Sequence, residues 1–255
     1  MMNEHVLAGR VALVTGVSRD AGIAAAVALR LGALGATVFA TGWPVHDAEM
    51  PWGPGTEPEL ACALHRHDLE DPVVPAALVD EVVATHRRID IVVAVHARSS
   101  HGGLADVDAV ELDRCWAVNV RSVVLLAQRF ADVHRPAGEG RPTGRMLWFT
   151  SGQHLGPMSG EVAYAVSKGA LHRMLTSLAP ALAASRIIAN CINPGPVDTG
   201  WADGEMQSFL AARFPDGRMG RPDDIADVVE FLVSDSGAWV RGQVLNAEGG
   251  FDRYG

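Results

Sequence analysis

Tyr164 and Lys168 stand four residues apart, a spacing that puts both side chains on one face of a helix. Lys and Arg together number 21, yet Lys168 is the only lysine, and Tyr164 is one of two tyrosines. A chain that otherwise uses Arg for positive charge therefore places a compact ammonium at one position. The chemistry that pair offers is proton transfer. A phenol ionises near pH ~10 and is a poor acid or base at neutrality. A neighbouring ammonium favours the phenolate and draws that pKa toward the working range. Ser151, thirteen residues before Tyr164, supplies a hydroxyl to hold a substrate oxygen. The bland alternative, a surface helix with an exposed Tyr and a solvated Lys, leaves the unique lysine unexplained.

Elements that would position such a pair are legible along the chain. Arg10–Thr15 is a continuous apolar run, as a strand buried on both faces requires. Thr15-Gly16-Val17-Ser18-Arg19-Asp20-Ala21-Gly22-Ile23 follows and opens an apolar helix over Ile23–Leu31, with a second strand over Ala36–Thr41. A glycine-rich turn between strand and helix is the setting in which backbone N–H groups bind a pyrophosphate. From Gly42 to Pro58 the Pro- and Gly-rich composition predicts a long surface loop. Further strands are expected over Leu64–Leu69, Ile89–Val95, Met146–Thr150, Arg186–Ile192 and Gln243–Asn246. Helices are expected over Pro72–Arg87, Asp106–His134 and Glu161–Ala184, with a last one from Arg221 to near Ser234 and a loop over 135–144. This alternation predicts one α/β domain over 1–255, a doubly wound, Rossmann-like parallel sheet with helices on both faces. Its ligand site falls at the carboxyl ends of the strands. The glycine turn, Asp68, Ser151 and Asn193–Thr199 all lie there. Trp201–Phe214, amphipathic and flanked by glycines, reads as a mobile substrate lid around 200–217.

Composition narrows the class of partner. The net charge of −9 and the lack of a long basic run argue against nucleic acid. No apolar stretch reads as a membrane span or a signal peptide. Cys62, Cys115 and Cys191 are scattered without metal or disulfide spacing, which fits a reducing, cytoplasmic setting. The histidines show no metal-ligand spacing either.

Together these residues resemble the short-chain dehydrogenase/reductase family over essentially the whole chain, and in particular its 3-oxoacyl-(acyl-carrier-protein) reductase-like members. Thr15-Gly16 with Gly22-Ile23 is similar to the family's cofactor turn, and Asp68-Leu69 to its adenine-contacting pair. Asn119, Ser151, Tyr164 and Lys168 match its catalytic tetrad, and Pro194-Gly195 with Val197 and Thr199 its nicotinamide-carboxamide motif. The resemblance implies a homotetramer or homodimer, with Glu248-Gly249-Gly250 in a subunit contact. Two departures stand out. Five residues separate Gly16 from Gly22 where the family usually has three, and Asp20 among them is expected to turn away and cap the helix. The family's Asn-Asn-Ala-Gly is here Ala94-Val95-His96-Ala97, with His96 left to supply one polar contact.

The same residues favour NADP(H) over NAD(H). The end of the second strand, Ala40-Thr41-Gly42-Trp43, lacks the carboxylate that accepts from a ribose 2′-OH. Arg19, beside Ser18, sits in the turn where the resemblance implies an Arg that pairs with the 2′-phosphate of NADP. The expected activity is hydride transfer between nicotinamide and a small-molecule carbonyl or secondary alcohol, with Tyr164 as proton carrier and Asn119 positioning a water. Gln153, His154, Met158 and Trp201 are candidate substrate-lining residues. An NAD-dependent alcohol dehydrogenase working oxidatively and a non-catalytic cofactor sensor are the alternatives.

Overall fold

The computed structural model describes residues 6–136 and 143–254. Seven parallel strands form its sheet: β1 (Val11–Thr15), β2 (Thr37–Gly42), β3 (Leu64–Arg66), β4 (Ile91–Ala94), β5 (Gly144–Phe149), β6 (Ile187–Asn193) and β7 (Val244–Asn246). Their order is β3-β2-β1-β4-β5-β6-β7. The chain thus runs outward from β1 to β3 and returns to lay β4 on β1's other side. That reversal opens a crevice at the carboxyl ends of β1 and β4.

The apolar runs are continuous because both faces are covered. Alternate residues Ala12, Val14, Ile91, Val93, Leu147 and Phe149 pack with α1 (Ile23–Ala33) and α8 (Pro222–Val233). Val11, Leu13, Val92, Met146, Trp148 and Cys191 face the other layer. That layer is built by α3 (Val74–His86), α5 (Ser122–Val133) and α6 (Val162–Ala184).

Three expectations change. The presumed loop after β2 carries a helix, α2 (Pro44–Glu49), begun by a proline in its first turn where the missing N–H costs nothing. The long helix expected over Asp106–His134 is α4 (Ala109–Cys115), then a π-helical turn (Trp116–Arg121), then α5. The strand expected over Leu64–Leu69 stops at Arg66. The loop expected over 135–144 falls in part on residues 137–142, outside the described residues. Toward the end of the chain, α7 (Gly204–Ala211) starts at Asp203, whose carboxylate accepts from Met206 N at 2.9 Å. No described helix is long and apolar enough to cross a membrane.

Candidate active site

Strand ends and one helix bring the predicted residues together. Ser151 leaves β5, and Tyr164 and Lys168 occupy the first two turns of α6. Lys168 is 2% exposed and donates from Nζ to the Phe149 carbonyl at 2.8 Å. The same Nζ lies 5.5 Å from the centre of the Tyr164 ring. The two side chains therefore approach each other rather than diverging.

Electrostatics in the ligand-free site run opposite to the sequence expectation for the phenol. Burial, then the Glu161 carboxylate, pushes the Tyr164 pKa well above its ordinary value, while the Ser151 hydroxyl pulls it down. Burial also drives the Lys168 pKa down, to about 8. Desolvation is the largest influence on both groups, since each has lost its solvent. The neighbouring thiols respond likewise, Cys115 and Cys191 both being pushed up to about 12 by burial. With thiolate suppressed at both, a thiol reagent at pH 8 is expected to label only the half-buried Cys62 in the native protein and all three cysteines after unfolding. Rapid native labelling of three thiols counts against this packing.

Asn119 sits in the π-helical turn with no exposed surface. Its Oδ1 accepts from Arg98 N at 2.7 Å, and its Nδ2 donates to Arg98 O at 3.0 Å and Ser167 Oγ at 2.8 Å. Ser167 in turn donates to the Tyr164 carbonyl at 2.7 Å. Both amide protons are thus committed to protein. The side chain fastens the segment after β4 to the helix that carries the phenol, and a water held here falls to other atoms. Ser167 went unread in the sequence, although a hydroxyl three residues after Tyr164 can reach that residue's carbonyl on a helix.

His96 does more than one polar contact. Its Nδ1 lies 2.6 Å from Thr15 Oγ1 and its Nε2 2.7 Å from Ser122 Oγ, joining β1 to α5. Burial, with Lys168 nearby, drives its pKa down to about 3, so it stays neutral. It thereby replaces the missing asparagines as a neutral tie. Gly16 (φ +83) backs onto this segment, and a Cβ there would come 2.6 Å from His96 N. Gly195 (φ +64) is equally constrained, 2.9 Å from Glu248. Asn193, fully buried, accepts from Gly195 N and donates to Asn246 and Glu248. Glu248 also pairs with Arg253, so the tail folds onto its own chain here.

The remaining predicted residues divide. Asp68, Leu69, Ala97 and Val118 line a cleft at the ends of β2, β3 and β4. Val197 and Thr199 follow Gly195 at the end of β6. Met158 lies against Ser151, whose Oγ is 3.8 Å from its sulfur. Thr41 is buried with its hydroxyl spent on His67 Nδ1 and the His65 carbonyl, so it is not free for a ribose. Gln153 turns inward to Thr150, and His154 faces outward to Asn246 and His172. Asp20 accepts from Ala21 N and leaves the N-terminus of α1 without a side-chain cap. Ser18 and Arg19 both contact Asp47 of α2, a partner the sequence reading missed although Trp-Pro before His-Asp-Ala-Glu is a legible helix start. In the presumed lid, Trp201 donates to the Val197 carbonyl, and Met206 and Phe209 are exposed. Phe214 instead packs on Phe251 with Leu210 and Met219, an anchor rather than a cover. Among the described residues no cluster of three His, Cys, Asp or Glu is placed to hold a metal.

A dinucleotide fits this arrangement. The first turn of α1 carries no side-chain cap, which leaves its N–H groups to a phosphate, and a cleft lined by Asp68, Leu69 and Ala97 lies at the strand ends. A reversing parallel sheet with such a turn and a Ser-Tyr-Lys group defines a dinucleotide-dependent oxidoreductase. The family profile described as enoyl-(acyl carrier protein) reductase matches residues 16–252, and the chain belongs to the short-chain dehydrogenase/reductase family. An uncharacterized oxidoreductase of Bacillus subtilis is 35% identical over 96% of this chain and 97% of its own. The chloroplastic NADPH-dependent aldehyde reductase 2 of Arabidopsis thaliana is 34% identical over 96% and 94%. A short-chain dehydrogenase of Burkholderia cenocepacia, solved in complex with NADP, superposes with a TM-score of 0.81 at 31% identity over 96% of this chain and 99% of that one.

Proposed function

We propose that the protein is an NADP(H)-dependent oxidoreductase acting on a small carbonyl or secondary alcohol, with Tyr164 as the proton carrier. The observation that carries this reading is the lone lysine facing the phenol, with the Ser151 hydroxyl hydrogen-bonded to that same phenol. When bound, the nicotinamide supplies or accepts the hydride. Tyr164 gives its proton to the substrate oxygen, and Ser151 holds that oxygen with a hydrogen bond as charge develops. Lys168 presents its ammonium to the phenol, and Asn119 fixes the segment that brings the two helices into register. The raised pKa of Tyr164 keeps the proton on the phenol at neutral pH, as a proton donor requires.

Preference for NADP(H) over NAD(H) is supported by the carboxylate-free end of β2 and by Arg19 in the turn, and by relatives that are NADPH-dependent. Met158 and Trp201 with the exposed Met206 and Phe209 favour a moderately apolar substrate, whether a ketone or an acyl thioester. The segment 200–217 is proposed to close over it, hinged on the Phe214 anchor within a single domain. Free cysteines support a cytoplasmic setting. A homotetramer or homodimer is supported by Val110, Leu112, Trp116 and Val124, apolar and exposed along α4, the π-helical turn and α5. The test is NADPH binding followed by fluorescence, then NADPH oxidation against acyl thioesters, simple ketones and steroids. Binding of NADPH tighter than NADH, with that ratio lost in Arg19→Ala, is expected. Failure to bind either dinucleotide overturns the proposal.

A further inference from the structure

Three donors converge on one carboxylate at the mouth of the cleft. Ser18 Oγ donates to Asp47 Oδ2 at 2.5 Å, and Trp52 Nε1 donates to Asp47 Oδ1 at 3.1 Å. Arg19 Nε lies 3.2 Å from that same Oδ1, and both side chains are only 13% exposed. The Arg19 guanidinium also sits 5.5 Å from the centre of the Trp52 ring. A hydroxyl, a guanidinium and an indole N–H around a largely buried anion are the donor chemistry of a phosphate site. Two of these donors belong to the glycine turn, whereas the anion and the indole belong to the segment between β2 and β3.

That segment also crosses the cleft. His46 Nε2 accepts from Ser99 N at 3.0 Å, and the Trp52 ring meets the His101 ring edge-on at 6.4 Å between centres. Asp20 N donates to the Thr56 carbonyl at 2.8 Å, fastening the segment's far end to the turn. With His46 and Glu49 in its wall, the cleft beside Asp68 and Leu69 has a volume of ≈160 Å³. Small-molecule sites begin at about 300 Å³. The segment therefore narrows the place where an adenosine would lie, and the Asp47 contacts are among those that hold it there.

We infer that Ser18 and Arg19 form an anion cradle that the Asp47 carboxylate, backed by Trp52, fills in the free protein and a phosphate group of the dinucleotide takes over. Asp47 then acts as an internal competitor, and its displacement lets the 43–58 segment swing off the adenosine cleft. This rests on the dinucleotide reading above. The phosphate comes either from the adenosine 2′ position or from the pyrophosphate, and both carry the oxygens the cradle requires. Asn at position 47 keeps the size of the side chain but withdraws the charge, so it competes poorly for a guanidinium.

The experiment measures Kd for NADPH and for NADH by nicotinamide fluorescence in the wild type, Asp47→Asn, Arg19→Ala and the double variant. Thermal unfolding confirms that each is folded. Asp47→Asn is expected to lower Kd for NADPH about tenfold, a change equivalent to removing one competing charge contact. A gain confined to NADPH assigns the cradle to the 2′-phosphate, and an equal gain for NADH assigns it to the pyrophosphate. In the Arg19→Ala background the gain should shrink to less than half its size, because the contested donor is gone. Unchanged or weaker binding of both dinucleotides in folded Asp47→Asn overturns the inference. Binding by the wild type alone tests the functional reading, so the two fail separately.

Discussion

Tyr164→Phe is expected to lower kcat about a thousandfold, the central range for losing a positioned proton donor, while Kd for NADPH stays within about twofold. Phe keeps the ring that packs 5.5 Å from Lys168 Nζ and removes only the hydroxyl. The site should otherwise stand, because Lys168 is held by the Phe149 carbonyl and the Tyr164 backbone by Ser167, neither of which needs the phenol. Two features make the hydroxyl a donor rather than an acceptor in the free protein. Burial and Glu161 keep it protonated, and Ser151 is the one hydroxyl that opposes them. Reduction of a carbonyl at neutral pH thus starts from the correct protonation state, whereas oxidation of an alcohol must first generate the phenolate. The measurement is single-turnover NADPH oxidation beside a fluorescence titration. A kcat within tenfold of the wild type, or a matching loss of cofactor affinity, removes Tyr164 from the role.

Much of this site was legible in the sequence because its parts are tied to element boundaries. Continuous apolar runs marked the strands of a sheet covered on both faces, and the glycine turn, Ser151 and Asn193 each leave the end of one. The four-residue spacing of Tyr164 and Lys168 set their shared face as soon as a helix was granted. Three things were hidden, each for a physical reason. The π-helical turn at Asn119 differs from an α-helix only in which carbonyl each N–H reaches, and no residue type reports that shift. Helix α2 was masked by the Pro- and Gly-rich composition around it, and with it went Asp47, the partner of Arg19. The direction of the Tyr164 shift was misjudged because spacing gives proximity to a charge but not the solvent lost by both groups. Side-chain partners beyond the helices were equally invisible, among them Thr150 for Gln153 and Asn246 for His154.

Lys168→Met is expected to abolish turnover and yet stabilise the free protein at pH 7. Lys168 is 2% exposed, and burial lowers its pKa from 10.5 to about 8. The folded state therefore disfavours the ammonium, at a cost on the order of 3 kcal/mol that is present in full below pH ~8. Between about 8 and 10.5 the folded protein has released this proton while the unfolded chain still holds it. Over that window the unfolded state binds more protons, so stability rises with pH and the cost is gone above it. Met keeps the length and apolar stem but leaves the Phe149 carbonyl without its 2.8 Å donor, which returns about 1 kcal/mol of penalty. The net gain at pH 7 is about 2 kcal/mol, or a rise in Tm of about 4–8 °C for a chain of this size. At pH 10.5 the variant should lose that advantage and fall slightly below the wild type, since only the missing hydrogen bond remains. Thermal unfolding at the two pH values decides the matter. A Tm for Lys168→Met below the wild type at pH 7 means that the buried ammonium contributes to folding, and that the lysine is kept for stability rather than for the phenol it faces.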